Sequence, residues 1–178
     1  MNKFSKKKIK IGILGGTFDP PHLGHLYISK IALKKLKLNK LIWAVTKKNP
    51  LKKKPLLKIQ ARIKLSKNIT NREKKILVKC FDDKIKSNST FKLLKYIKQK
   101  QKKAELYFLI GADNLIKFHK WNNWKKIPQF AKIVVFPREN HLVNKNRYIV
   151  SKSLKKKDLI YISSKKVNIS SSLIRKFW

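Results

Sequence analysis

The chain has 178 residues, 47 of them Lys or Arg and 8 Asp or Glu, for a formal net charge of +39. That length suits one domain, residues 1–178, able to bury a core without metal or disulfide staples, and a hydrophobic share of 42% spread in short runs argues for a folded protein over a disordered basic tail. No run approaches the roughly 20 apolar residues of a membrane span, and the single cysteine, Cys80, excludes an intrachain disulfide or a zinc site built on paired cysteines.

The basic start Lys6-Lys7-Lys8 leads into only a short strand-like run over 9–14, too brief for a secretory leader, so a cytoplasmic location is expected. Ile28, Ile31, Ala32 and Leu36 follow at helical spacing, and Leu41 to Val45 reads as a second strand. A helix over 59–68 and a strand over Ile76 to Cys80 come next, with Cys80 a small buried hydrophobe at the strand end. Asn88 or Ser89 caps a helix carrying Leu94 and Ile97 and running to about Lys103. Leu106 to Ile110 is a fourth strand, ended by Gly111, and a helical stretch from Asn114 to Ile127 precedes a fifth strand over 132–136. Leu159 to Ile162 gives a short sixth strand, and a closing helix begins at Ser170 or Ser171. Strands alternating with helices, several apolar on both faces, predict an α/β fold: a parallel sheet with helices on both faces. In such sheets ligands bind at the carboxyl ends of the strands.

The charge invites a polyanion partner, yet only five of the basic residues are arginine (Arg62, Arg72, Arg138, Arg147, Arg175), and the lysines run along the whole chain. A dedicated nucleic-acid reader concentrates charge on one face and uses arginine for base contacts. Richness in Lys, Asn, Ile and Phe fits a compositional bias toward A/T-rich codons. Nucleic-acid binding is therefore expected to be non-specific if it occurs, while phosphate ligands are drawn to the surface in either case.

Chemistry concentrates after the first strand, in Gly15-Gly16-Thr17-Phe18-Asp19-Pro20-Pro21-His22-Leu23-Gly24-His25. Paired glycines let the backbone turn and approach a ligand, and the prolines fix the chain before the next helix. His22 and His25, three apart at a helix start, would face the same way as the free N–H groups and the positive end of the helix dipole. Together they make an anion site suited to a polyphosphate. Two histidines with Asp19 lack a third strong ligand, so no metal site is assigned. Near the other end, Ser170, Ser171 and Ser172 offer hydroxyls and N–H groups at a helix start, and Arg175 one turn on adds a forked cation.

The first string resembles the GxFDPxHxGH signature of the nucleotidyltransferase superfamily, and Ile169-Ser170-Ser171-Ser172-Leu173-Ile174-Arg175 resembles its ISSTxIR signature. Phe108-Leu109-Ile110-Gly111-Ala112-Asp113-Asn114-Leu115, with Phe118 and Trp121, is similar to a segment of bacterial nicotinate-nucleotide adenylyltransferases, as are Asn49-Pro50-Leu51-Lys52 and Ser89-Thr90. The resemblance implies a Rossmann-like nucleotidyltransferase fold that transfers AMP from ATP to nicotinate mononucleotide, with Mg²⁺ carried by the ATP phosphates. By that resemblance His22, His25 and Arg175 are catalytic. Gly15, Gly16, Thr17, Phe18, Lys52, Gly111, Asp113, Ile169, Ser170, Ser171 and Ser172 bind ATP, with Gly111 and Asp113 beside the adenosine ribose. Trp121 stacks on the pyridine ring, and N–H groups near Thr90 and Asn122 receive the carboxylate. The sequence departs from the family at Ser172, where threonine is usual, and at Asp82, Ile85 and Ser89, where glutamate, arginine and tyrosine are usual. Relatives usually continue past the position of Trp178, so a short closing helix is expected. The alternatives are an adenylyltransferase for nicotinamide mononucleotide or phosphopantetheine and, from another class, a basic nucleic-acid-binding protein. Oligomeric state is open.

Overall fold

The computed structural model describes residues 8–137, 149–163 and 169–177. Six strands, β1 (Lys10–Gly16), β2 (Lys40–Val45), β3 (Ile76–Lys79), β4 (Glu105–Gly111), β5 (Lys132–Phe136) and β6 (Leu159–Tyr161), form one sheet in the order β3-β2-β1-β4-β5-β6. Every pairing is parallel, with Ile13 opposite Ile42 on one side and Phe108 on the other. The strand order reverses direction between β1 and β4, where an open α/β sheet leaves a crevice at the carboxyl ends.

Strict alternation along the strands divides the core. Ile11, Ile13, Ile42, Ala44, Phe108, Ile110, Ile133 and Val135 face one side, packed with Leu94 and Ile97 of α4 (Thr90–Lys100) and Leu115 of α5 (Ala112–Lys117). Leu14, Leu41, Trp43, Val45, Leu109, Val134 and Phe136 face the other, packed with Ala32 of α1 (Leu23–Lys35) and with Ile59, Ile63 and Ile69 of α2 (Ile59–Thr70). The sheet is thus covered on both faces, as a run of apolar parallel strands requires. Gly12 has no room for a side chain: a Cβ there would lie 2.7 Å from Leu38 Cδ1.

Three local expectations are corrected. The helix expected over 114–127 is broken. α5 ends at Lys117, a 3₁₀ turn covers Phe118–Lys120, Trp121 is extended, Asn123 is left-handed at φ 52°, and a second 3₁₀ segment, Trp124–Gln129, holds Pro128. Asparagine tolerates that backbone where most residues do not, which makes the Asn122-Asn123 pair the weak point of the helical pattern. Two short helices are additional, α3 (Asp82–Ile85) and α6 (Ile149–Ser153). Cys80 lies just beyond β3 and is only half-buried; burial still pushes its thiol pKa up. The closing helix, α7 (Ser171–Ile174), is short as expected and continues as a 3₁₀ turn over Arg175–Phe177.

Candidate active site

The Gly15-Gly16 pair ends β1 without a left-handed residue; the positive φ falls on Phe18, at 49°. The glycines thus keep the wall of the crevice free of side chains, and the turn is made by a phenylalanine held in an unfavourable backbone region by its surroundings. Phe18 is 2% exposed, stacked on Trp43 of β2 with ring centroids 4.9 Å apart, and 4.8 Å from the His25 ring. His25 in turn lies 3.8 Å from His22. The two histidines face the same way at the start of α1, as their spacing predicts.

Their orientation is fixed from behind. The His22 backbone N–H donates to His25 Nδ1 at 3.2 Å, and the His25 N–H donates to the His22 carbonyl at 2.9 Å. With Nδ1 accepting, the neutral ring carries its proton on Nε2. Trp43 Nε1 donates to Ser29 Oγ at 2.9 Å, and Ser29 Oγ donates to the His25 carbonyl at 2.7 Å. Both residues are fully buried, so this relay ties the first turn of α1 to the sheet.

Asp19 and Arg62 hold the loops together. The Asp19 carboxylate accepts from Leu56 N–H at 2.9 Å and Leu57 N–H at 3.0 Å. Arg62, 2% exposed on α2, donates to the carbonyls of Leu57 (3.0 Å), Thr17 (2.5 Å), Thr46 (2.7 Å) and Lys47 (3.1 Å). Burial lowers its pKa, opposed by the charge of Asp19. From the far end of the chain, Arg175 donates to the Asp19 carbonyl, lies 3.7 Å from its carboxylate and reaches Ser172 Oγ at 3.3 Å. Ser171 Oγ donates to the Pro20 carbonyl at 2.9 Å, and Ser170 Oγ caps α7 by accepting from Leu173 N–H. The closing segment is therefore docked on the histidine loop.

Beside these residues lies a cavity of about 500 Å³. Gly15, Gly16, Thr90, Trp121 and Asn122 all line it, together with Thr46, Asp82, Phe108 and Lys92. Trp121 rests edge-on against Phe108 (centroids 6.0 Å, 68°) and tilted on Phe118 (5.0 Å, 40°), and the helix break is what turns it to the cavity. Opposite, α4 begins at Thr90; the Ser89 side chain makes no capping bond, and its buried Oγ has no hydrogen-bond partner among the described residues. The first-turn N–H groups of such a helix have no intrahelical acceptor. Asp82 Oδ2 accepts from Thr46 Oγ1 at 2.8 Å and Lys47 N–H at 2.7 Å, joining α3 to the β2 exit. Thr17, Phe18, His22, His25, Lys52, Gly111, Asp113, Ile169, Ser170, Ser171, Ser172 and Arg175 are not among the residues lining the cavity; Gly111 and Asp113 sit at the carboxyl end of β4, next to β1 in the sheet, and Lys52 is exposed. Among the described residues no three His, Cys, Asp or Glu side chains gather as a metal site.

Sequence reasoning missed the organising residues Arg62, Ser29 and Trp43, and noted Asp82 only as a departure from the family pattern. Each has an ordinary address in sequence, on a helix or strand outside the motifs. The one signal available was an arginine among lysines, at a position where α2 packs inward.

Three comparisons bear on this geometry. The family model described as cytidylyltransferase-like matches residues 13–177. A protein of Pelagibacter ubique named "Probable nicotinate-nucleotide adenylyltransferase" is 47% identical over 98% of this chain and 97% of its own length, and one of the same name from Aquifex aeolicus is 33% identical over 90% and 98%. In fold, the chain is similar to the Plasmodium falciparum nicotinic acid mononucleotide adenylyltransferase complexed with NaAD, with TM-score 0.77, 22% identity, and coverage of 95% of this chain and 83% of that one.

Proposed function

Because the chain belongs to the cytidylyltransferase-like family and, within it, to the nicotinate-nucleotide adenylyltransferases, we infer that it transfers AMP from ATP to nicotinate mononucleotide, releasing deamido-NAD and pyrophosphate. The observation that carries the reading is the 500 Å³ cavity at the β1/β4 crevice, lined by Trp121 and by the uncapped start of α4, with Gly15 and Gly16 of the strand that leads into the histidine loop in its wall. A planar, negatively charged pyridine carboxylate matches that pairing of a ring face with backbone N–H donors.

The acceptor phosphate is already an ionised nucleophile, so the chain need supply no strong base and no covalent intermediate. Its work is to align the acceptor for in-line attack on the α-phosphorus and to hold the charge that develops on the equatorial and leaving oxygens. We assign the imidazoles of His22 and His25, whose rings lie 3.8 Å apart, to those oxygens. Gly15, Gly16, Thr17 and Phe18 form the backbone that approaches the phosphates, Phe18 doing so from beneath as the support of His25. Gly111 and Asp113 take the ribose. Arg175 and Ser170 to Ser172 close the polyphosphate side, following Ile169, and Lys52 reaches over the triphosphate. Thr90 and Asn122 hold the carboxylate while Trp121 stacks on the ring. Mg²⁺ is assigned to the ATP it arrives with, since the described residues offer it no donor set of their own. No helix among the described residues is long and apolar enough to cross a membrane, and we place the enzyme in the cytoplasm as one domain.

The test is pyrophosphate release from ATP and Mg²⁺ with nicotinate mononucleotide, nicotinamide mononucleotide or phosphopantetheine. Turnover with the acid about 100-fold above the amide is expected, because the amide carries no charge and turns an N–H toward donors. Equal kcat/KM for acid and amide removes the acid-specific assignment. Nucleic-acid binding steep in salt, without turnover of any acceptor, would return the protein to the basic-binder class.

A further inference from the structure

Arg62 is a buried cation without a carboxylate partner: among the described residues it forms no ion pair, and its donors all go to backbone carbonyls. Those carbonyls belong to three separate segments. Thr17 opens the histidine loop after β1, Thr46 and Lys47 form the exit of β2, and Leu57 lies ahead of α2. Burying a charge is costly unless its hydrogen bonds are met, and here four carbonyls meet them. The planar fork suits the task, because five N–H donors in fixed directions impose one geometry on the acceptors.

The two strand exits lead to opposite sides of the site. Beyond Thr17 the chain reaches Phe18, His22 and His25. Thr46 lines the cavity and, with Lys47, is bound to Asp82 of α3. Thr46 N–H also donates to the Gly16 carbonyl at 2.9 Å, so the exits are joined both directly and through the guanidinium. Leu57 is gripped from both sides, its N–H on Asp19 and its carbonyl on Arg62 Nε, and Asp19 in turn receives Arg175.

We propose that Arg62 is a positioning residue for phosphoryl transfer, its guanidinium setting the histidine side of the site against the mononucleotide side so that attack is in line. The proposal rests on the adenylyltransferase reading and adds to it a residue that touches neither substrate. A displacement of about 1 Å between reacting groups can cost a hundredfold in rate, whereas each substrate alone meets mainly one side and tolerates the shift.

The experiment compares Arg62→Lys, Arg62→Met and the wild type, each checked for fold by thermal melting. Turnover is measured per folded molecule, and affinities for ATP and for nicotinate mononucleotide are measured separately. The expected result for Arg62→Lys is a 10- to 100-fold fall in kcat with each single-substrate Kd within about threefold of wild type. Arg62→Ala should regain turnover with added methylguanidinium and not with urea, which has the shape but no charge. A kcat per folded molecule within threefold of wild type in Arg62→Lys overturns the proposal, as does a parallel collapse of both affinities, which would make Arg62 a support of the fold. Arg62→Lys remains decisive if the methionine and alanine variants do not fold. A wild type inactive on every mononucleotide defeats the functional reading as well, while an active wild type with an equally active Arg62→Lys defeats only the role of Arg62.

Discussion

Replacing Trp121 with alanine separates the binding role proposed for it from the packing its ring makes on Phe108 and Phe118. Phe108 and Phe118 hold one edge and part of one face, and the half-exposed remainder lines the cavity. Stacking of a flat heterocycle on an aromatic side chain is worth roughly 1–3 kcal/mol, which at about 1.4 kcal/mol per decade is a loss of about 5- to 140-fold in mononucleotide affinity. Stability should fall by about 1–2 kcal/mol, less than the cost for a fully buried aromatic, because only part of the ring is in the core. Trp121→Phe should recover most of both losses. The assay is titration calorimetry with nicotinate mononucleotide and, separately, with ATP, well below the melting temperature. The Kd for ATP should move by less than about threefold. Equal weakening toward both ligands would show that Trp121 acts through the fold, and an unchanged mononucleotide Kd would remove the stacking contact.

Other perturbations test the remaining assignments. His22→Ala and His25→Ala should each lower kcat by about two to three orders of magnitude with little change in melting temperature, as expected for donors aimed at developing charge; near-normal turnover in both would take them out of the mechanism. Arg175→Lys should cut kcat/KM for ATP by about tenfold or more, since a point charge cannot reproduce a fork that meets Asp19 and Ser172 together; steady-state kinetics with varied ATP will tell. Lys132, 2.5 Å from Glu105, holds the Glu105 carboxyl below its ordinary pKa. A depressed folded-state pKa means stability present above the ordinary carboxylate range and lost as pH falls through the folded value. Glu105→Gln should thus be less stable at neutral pH, by about 0.5 kcal/mol after allowance for solvent screening, and the difference should vanish in acid. A gap of the same size at pH 3 and pH 7 in thermal melts would contradict the linkage.

The strands and their parallel order were legible because apolar runs bounded by glycine and polar residues leave few other arrangements. Local backbone devices were less so. The double glycine suggested a turn, yet the left-handed residue is Phe18, whose strain is held by Trp43 and His25, partners that are distant or unordered in a linear reading. The helix over 114–127 fails from Lys117 on, through the extended Trp121 to the left-handed Asn123, although the periodicity continues, and that failure is what delivers Trp121 to the cavity. Motifs located His22, His25 and Arg175, which the structure gathers on one loop, the two rings in contact and the arginine on Asp19. Arg62 was hidden because its acceptors are backbone carbonyls, and backbone groups look alike in every sequence.

The docking of residues 171–175 on residues 19–20 has a consequence for the order in which the molecule is made. The histidine loop leaves the ribosome well before residues 171–175, and its β1 strand sits at the centre of the sheet, where later strands add outward to both edges. Domains fold progressively as they are synthesised, so the sheet can be largely assembled before the serines and Arg175 emerge. A nascent chain could then hold its cavity and its histidines while lacking the clasp on Asp19.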